Sequence, residues 1–187
     1  SGPARPWLGA VRDHVLGVKL ITGHGKIATF GGQVMKNVAG YDVSRLMAGS
    51  LGTLAVILEV SLKVIPRPLA ETTLALEMPE SDALTLGLKL RRNATPLTGS
   101  CYYDGCLYLR VAGATSAVKQ AVQQIGGETL PEAEQFWLAL RHQTHEFFQP
   151  LDRPLWRLSF PPATTAIGSL EGHSLVEWSG AQRWIYS

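Results

Sequence analysis

Two cysteines, few charges and no long apolar run set the first limits on this chain of 187 residues. Cys101 and Cys106 are too few for a disulfide framework, and no His or third Cys stands beside them to complete a zinc-type set. They flank Tyr102-Tyr103-Asp104-Gly105. A two-residue turn at Asp104-Gly105 leaves them diagonal, whereas a four-residue turn sets them opposite and bridgeable; the preferred reading is two reduced cysteines on a strand pair. Charged residues make up only 17%, the net charge is +2, and Arg91-Arg92 is the only close basic pair after Arg67, so there is no electrostatic case for nucleic acid. No stretch approaches the roughly 20 apolar residues of a membrane span, and the N-terminus lacks the charged-then-apolar order of a signal peptide. A soluble, cytoplasmic location is the expectation.

What is present is ordinary in amount: 45% hydrophobic residues. A chain of this length buries roughly 70% of its unfolded surface, in one domain or two small ones. The sequence becomes specific at residues 34–68, VMKNVAGYDVSRLMAGSLGTLAVILEVSLKVIPRP. A polar, glycine-containing entry (34–40) leads into one or two helical turns (41–47). Asp42 is either the N-cap of that helix, which is preferred, or part of a site. Gly49-Ser50-Leu51-Gly52-Thr53 then forms a turn that feeds a β-branched run over 54–65. Because Leu54, Val56, Leu58, Val60, Leu62 and Val64 share one parity, the spacing predicts a strand buried on one face and half-buried on the other, ended by Pro66-Arg67-Pro68. A turn of Gly, Ser, Gly and Thr at the mouth of a strand leaves main-chain N–H groups and a hydroxyl unshielded, which suits a flat or phosphorylated cofactor. On residue types alone the plainer reading, a tight turn before a core strand, is favoured.

Upstream, residues 13–22 and 26–30 read as two strands joined by a Gly23-His24-Gly25 hairpin turn. His24 at its tip is read as solvated rather than catalytic.

Several of these pieces occur together elsewhere. The stretch from Lys36 to Pro68, with Arg5-Pro6-Trp7, Val11-Arg12-Asp13-His14-Val15-Leu16-Gly17, Ile21-Thr22-Gly23-His24-Gly25-Lys26 and Phe30-Gly31-Gly32, resembles the second half of the PCMH-type flavin domain of FAD-linked oxidases of the vanillyl-alcohol oxidase type. Past Pro68 the resemblance is carried by Trp156-Arg157-Leu158, Glu177-Trp178 and Gly180-Ala181-Gln182-Arg183-Trp184. It implies backbone contacts to FAD from Gly49, Ser50, Gly52, Thr53 and Leu54, packing from Ile57, and a wall made by Asn37, Gly40 and Tyr41. Ala55 stands where the family commonly has Gly, and Leu51 replaces a frequent Glu. The family's upstream glycine-rich pyrophosphate loop is not in this sequence, and Ser1-Gly2-Pro3 carries no initiator Met. The expectation is an internal piece of a longer protein that binds little or no FAD by itself.

The fold class expected is α+β, with the C-terminal part of a PCMH-type FAD-binding domain over 1–68 and a ferredoxin-like α+β cap domain over 69–187. In the second part, residues 72–78 read as a strand and Ser81 as the N-cap candidate of a helix to about Arg92. Residues 97–112 form a hairpin, Thr115 or Ser116 caps a helix over 117–125, and 128–130 is a short strand. That β-α-β-β-α-β order is a split βαβ unit with helices on one face of an antiparallel sheet. Residues 132–148 read as a third helix on which His142 and His145 share a face, a possible half of a metal site that lacks partners. Arg157, Arg183 and tryptophans 156, 178 and 184 are either a guanidinium and aromatic surface for a small carboxylate or, as preferred, a structural strand pair.

For the whole protein the resemblance implies FAD-dependent oxidation of a short 2-hydroxy acid, glycolate to glyoxylate. It also implies a homologous flavin subunit and an iron–sulfur subunit as partners, with peripheral attachment to the inner membrane through them as a variant of the cytoplasmic location. The rival reading is a non-catalytic flavin-binding, assembly or electron-relay subunit. No general base stands out; His24, His142 and Tyr41 are candidates by residue type only.

Overall fold

The computed structural model describes residues 2–33, 41–149, 152–166 and 174–186. Contacts divide the chain into two compact units, Gly9–Arg67 in one and Gly2–Leu8 with Pro68–Ser187 in the other.

In the first unit a helical turn, Val11–His14, runs into strand β1 (Val15–Thr22), which pairs antiparallel with β2 (Ile27–Gly31) on one side and β3 (Ala55–Leu62) on the other. Alternate residues Val18 and Leu20, joined by Val15 and Met47, are buried, with Phe30, Val43 and Ala55 packed against them. Two glycines make this close packing possible. Gly31 has φ +70°, and a Cβ there would lie 2.3 Å from the Leu16 carbonyl oxygen; a Cβ on Gly17 would lie 2.7 Å from the Gly32 backbone.

Strand β3 departs from the expected simple alternation. Leu20 pairs with Ile57 but Lys19 pairs with Glu59, so Leu58 is an extra residue and the parity changes within the strand, bringing Val60 opposite Val18. Among the described residues β3 is also an edge strand, bordered by β1 alone. The apolar residues from Leu54 to Val64 that were expected to be buried are 44 to 86% exposed. One small core beneath β1 is not wide enough to cover them.

The second unit is a seven-stranded sheet, order β7-β4-β6-β5-β9-β10-β8. Its strands are β4 (Ala70–Glu77), β5 (Leu97–Tyr103), β6 (Cys106–Gly113), β7 (Glu128–Thr129), β8 (Leu155–Ser159), β9 (Ser174–Glu177) and β10 (Gln182–Tyr186). With α1 (Glu80–Arg92) and α2 (Thr115–Ile125), the first four strands form the split βαβ unit, and the order β7-β4-β6-β5 is that of a ferredoxin-like sheet. Helix α1 starts directly after Pro79 and α2 after Ala114, so Ser81, Thr115 and Ser116 are none of them the caps expected. Gly126, at φ +73°, ends α2.

Both faces of this sheet are clad. Leu107, Leu109 and Val111 of β6 pack with Ala83 and Leu90 of α1 and Val118 and Ala121 of α2. The opposite face packs Cys101 and Leu175 against Trp137 and Leu140 of α3 (Ala133–His142) and against Phe147 and Phe148. The third helix thus covers the face that the split βαβ unit leaves bare. It is shorter than expected because Gln143 takes φ +58°, and a separate 3₁₀ turn, Glu146–Phe148, follows. Trp137 donates its indole N–H to the Thr73 hydroxyl at 2.9 Å, anchoring α3 to β4.

At the hairpin tip Asp104 and Gly105 both have positive φ, and Tyr103 pairs with Cys106 while Cys101 pairs with Tyr108. The two cysteines are therefore diagonal and unbridged. The segment Gly2–Leu8, placed with the first domain on sequence grounds, belongs to the second unit. Trp178 donates to the Gly2 carbonyl at 3.1 Å, Arg5 stacks on the Trp178 ring at 5.4 Å, and Trp7 packs on the helix-side core.

Gly31→Ala is expected to destabilise the first unit by about 2 kcal/mol or more, since the new methyl meets a carbonyl oxygen on a backbone already in the left-handed region. Gly49→Ala, whose Cβ meets open space, is expected to cost no more than half as much. Urea denaturation of the two variants checks the ranking.

Candidate functional site

Asp42 sets up the site. Its Oδ1 accepts from the Arg45 backbone N–H at 3.2 Å and from the Ser44 hydroxyl at 3.2 Å, starting the helical turn Val43–Leu46, while its Oδ2 lies 3.4 Å from Arg45 Nε. The cap reading of Asp42 is the one the geometry carries. Past Met47 the chain turns sharply. Gly49, Leu51 and Gly52 take φ +87°, +52° and +76°, and the turn is closed by Ser50 N–H to Met47 O and Thr53 N–H to Ser50 O. The Thr53 hydroxyl donates back to Ser50 O at 2.7 Å. Two of the amides expected to be bare are thus spent inside the turn, as is the threonine hydroxyl. Those of Gly49, Leu51 and Gly52 make no backbone hydrogen bond among the described residues.

This turn borders an open groove of about 500 Å³ lined by Arg12, Asp42, Arg45, Gly49, Ser50 and Thr53, with Leu46, Ala48 and Leu54 as its apolar part. Of the residues assigned to a cofactor on sequence grounds, Gly49, Ser50, Thr53 and Leu54 come together here. Gly52 lies in the same turn but not on the groove wall, and Ile57 sits further along β3 opposite Leu20. Tyr41 is 95% exposed and does not line the groove. Asn37 and Gly40 lie outside the described residues.

Sequence reasoning passed over the two guanidiniums, Arg12 and Arg45. Each stood in plain view, Arg12 within the quoted Val11-Arg12-Asp13-His14 run and Arg45 as a helix residue. Only the fold brings the 11–14 turn beside the 42–53 segment.

The donor chemistry fits a phosphorylated cofactor: two arginines and the Ser50 hydroxyl along a groove whose glycines carry no side chain. No group of three or more metal-binding side chains is clustered among the described residues.

The other candidates separate. Arg183, considered for a substrate carboxylate, is 2% exposed and turned inward. Its Nη2 donates to the Thr164 and Thr165 carbonyls at 2.8 and 2.9 Å, its Nη1 lies 3.7 Å from Glu80, and its guanidinium stacks on Phe160. It is a clamp on residues 160–165, buried where it presents no surface to a substrate. Arg157 lies over Trp184 at 5.9 Å. The indole N–H of Trp184 and the amide of Gln182 both donate to Glu177 Oε2 at 2.8 Å, so this arginine and aromatic pair is structural.

Glu177 itself is 3% exposed, and its Oε1 has no partner among the described residues. Burial pushes its carboxyl above the ordinary range, opposed by the two hydrogen bonds. His142 and His145, expected on one helix face, are parted by the break at Gln143. His145 instead accepts the Phe147 N–H on Nδ1 and packs edge-on to Tyr103 and Phe136. His24 is exposed at the hairpin tip, as read from its flanking glycines.

No protein-family model matches the chain. Along all of its 187 residues it is 46% identical to the glycolate oxidase subunit GlcE of Escherichia coli, of which it covers 52%. Over 66 residues, 35% of this chain and 14% of that one, it is 42% identical to the glycolate oxidase subunit GlcD of Bacillus subtilis. Over 90 residues, 48% of this chain and 20% of the other, it is 33% identical to a D-lactate dehydrogenase of Archaeoglobus fulgidus. A solved structure of alkyldihydroxyacetonephosphate synthase shares the fold, with TM-score 0.64 over 98% of this chain and 48% of that one at 14% identity. The chain is thus similar in sequence to glycolate oxidase subunits and to a D-lactate dehydrogenase, and it shares the fold of alkyldihydroxyacetonephosphate synthase. Among them it resembles throughout its length the E subunit of bacterial glycolate oxidase, and it spans about half of that relative.

Arg183→Met is expected to destabilise the second unit by about 3 kcal/mol, because Glu80 and two carbonyls lose a buried partner; chemical denaturation measures it. For Glu177 the sign follows from its raised carboxyl. The folded state holds the proton more tightly than the unfolded one, so its contribution is full below the unfolded value of about 4.3 and is lost as pH rises through the folded value. Glu177→Gln should therefore be more stable than the parent at pH 8, with the difference shrinking toward pH 4 in urea midpoints.

Proposed function

We propose that the protein containing this chain is the flavin-binding subunit of an FAD-dependent oxidoreductase that converts a short 2-hydroxy acid, glycolate, to its 2-oxo acid. The observation that carries this reading is whole-length similarity to a glycolate oxidase subunit, joined to a groove at the Gly49–Thr53 turn whose arginines and hydroxyl suit a nucleotide. Gly49, Ser50, Gly52, Thr53 and Leu54 would hold the cofactor by main chain and hydroxyl, with Ile57 packing beyond them and Asn37, Gly40 and Tyr41 toward its edge. FAD, when bound, supplies the two-electron chemistry at the hydroxyl-bearing carbon of the acid. The residues described here bind and orient; Asp42 holds its helix in place and keeps one guanidinium at the groove. A homologous flavin subunit and an iron–sulfur subunit are the partners of this reading, in the cytoplasm.

One observation favours a second reading. Among the described residues the groove's one carboxylate, Asp42, is committed to capping and to Arg45, and no histidine lines the groove. A subunit without its own base would bind flavin for assembly or electron relay while a homologous partner oxidises the acid.

The two readings part on one measurement. The full-length subunit is purified alone, its flavin absorbance is recorded, and glycolate is added without oxygen. Bleaching of the oxidised flavin band is the expected outcome for the catalytic reading. A band that persists until the partner is added supports the relay reading, and a protein with no affinity for flavin sinks both.

A further inference from the structure

We infer that Arg12, with Arg45, binds a phosphate of the flavin nucleotide, which places the phosphorylated part of the cofactor, not the substrate carboxylate, in the groove beside the Gly49–Thr53 turn. This inference rests on the flavin reading above.

Charge within the groove is the first support. Arg12, Arg45 and Asp42 line it, two basic side chains to one acidic. Both Asp42 oxygens are occupied by the 43–46 turn and by Arg45 Nε. Its negative charge therefore offsets Arg45 and leaves Arg12 uncompensated, since Arg12 has neither an ion pair nor a side-chain hydrogen bond among the described residues. Asp42 meets Arg45 along the Nε edge at 3.4 Å, which leaves the two terminal nitrogens of that fork for an acceptor in the groove.

Size and neighbours are the second support. A carboxylate of a two-carbon acid would fill a small part of about 500 Å³. A phosphate ester carries more acceptor oxygens than a carboxylate and suits a groove lined by two guanidiniums and a serine hydroxyl. The Gly49 amide, which makes no backbone hydrogen bond among the described residues, adds a donor on the groove wall with no side chain in front of it.

The test uses the full-length protein stripped of flavin, with FAD titrated at several salt concentrations into the parent, Arg12→Gln and Arg12→Lys. Arg12→Gln should weaken FAD roughly tenfold, the loss of one charge-assisted contact, and should flatten the dependence of affinity on salt. Arg12→Lys should keep the salt dependence and lose only about threefold, as a point charge replaces a fork. Thermal midpoints show that the variants fold; should the glutamine variant not fold, the lysine variant decides by the same two readouts. FAD affinity within about twofold of the parent in Arg12→Gln, or weakening with an unchanged salt slope, overturns the inference while leaving the flavin reading intact. Loss of affinity for the hydroxy acid alone assigns the groove to the substrate carboxylate and overturns it as well. A parent protein that binds no FAD overturns the flavin reading and this inference together.

Discussion

A β-sheet covered on both faces must be apolar on both faces, and that constraint organises the larger unit. Strands β5 and β6 lie in the middle of seven and cannot turn either side to water. Leu107, Leu109 and Val111 serve the layer of two helices, while Cys101 and Tyr108, of the other parity, serve the layer built on Trp137 and Phe147. Polar groups caught in this arrangement are tied down. Ser100 accepts from the Ser179 backbone at 2.7 Å, and Gly87, with no side chain, lets Ser179 approach α1. Glu177 is the exception: one of its oxygens has no donor among the described residues, and burial keeps its carboxyl hard to ionise.

The smaller unit follows the opposite logic. Its three strands bury one compact cluster and leave β3 exposed along its length. A sheet this open gains little from area, so it relies on local devices: an aspartate cap, two glycines in close backbone contact, and a turn closed by its own amides. Those devices also make the groove. Left-handed φ at Gly49 and Gly52 turns the chain back on itself, and the turn of residues 43–46 holds Arg45 against Asp42 beside it. The positioning of a charged wall and the folding of the segment are one arrangement.

Much of this was legible in the residues. The hairpin at Asp104-Gly105, the aspartate cap and the order of strands and helices each rest on short-range chemistry: positive φ at Asp-Gly, a carboxylate three residues before the N–H that it accepts, a change of period from 2 to 3.6. Other features were not. Alternation in residues 54–64 suggested one buried face, yet the bulge at Leu58 is a matter of register with a strand some forty residues away. The long third helix was inferred from an unbroken polar and aromatic pattern, whereas Gln143 ends it in a conformation that most residues adopt only under tertiary constraint.

By itself, then, the amino-acid order determined most of the local elements, the split βαβ order and the glycine-rich turn after Met47, because each depends on neighbours within a few residues. Only the tertiary structure decided that Arg183 faces inward while Arg12 faces a groove, since a guanidinium's role depends on which carbonyls and carboxylates the rest of the chain carries to it. It also decided that Gly2–Leu8 packs with residues more than 130 positions away, a contact made by Gly2 and Trp178 that no local pattern encodes.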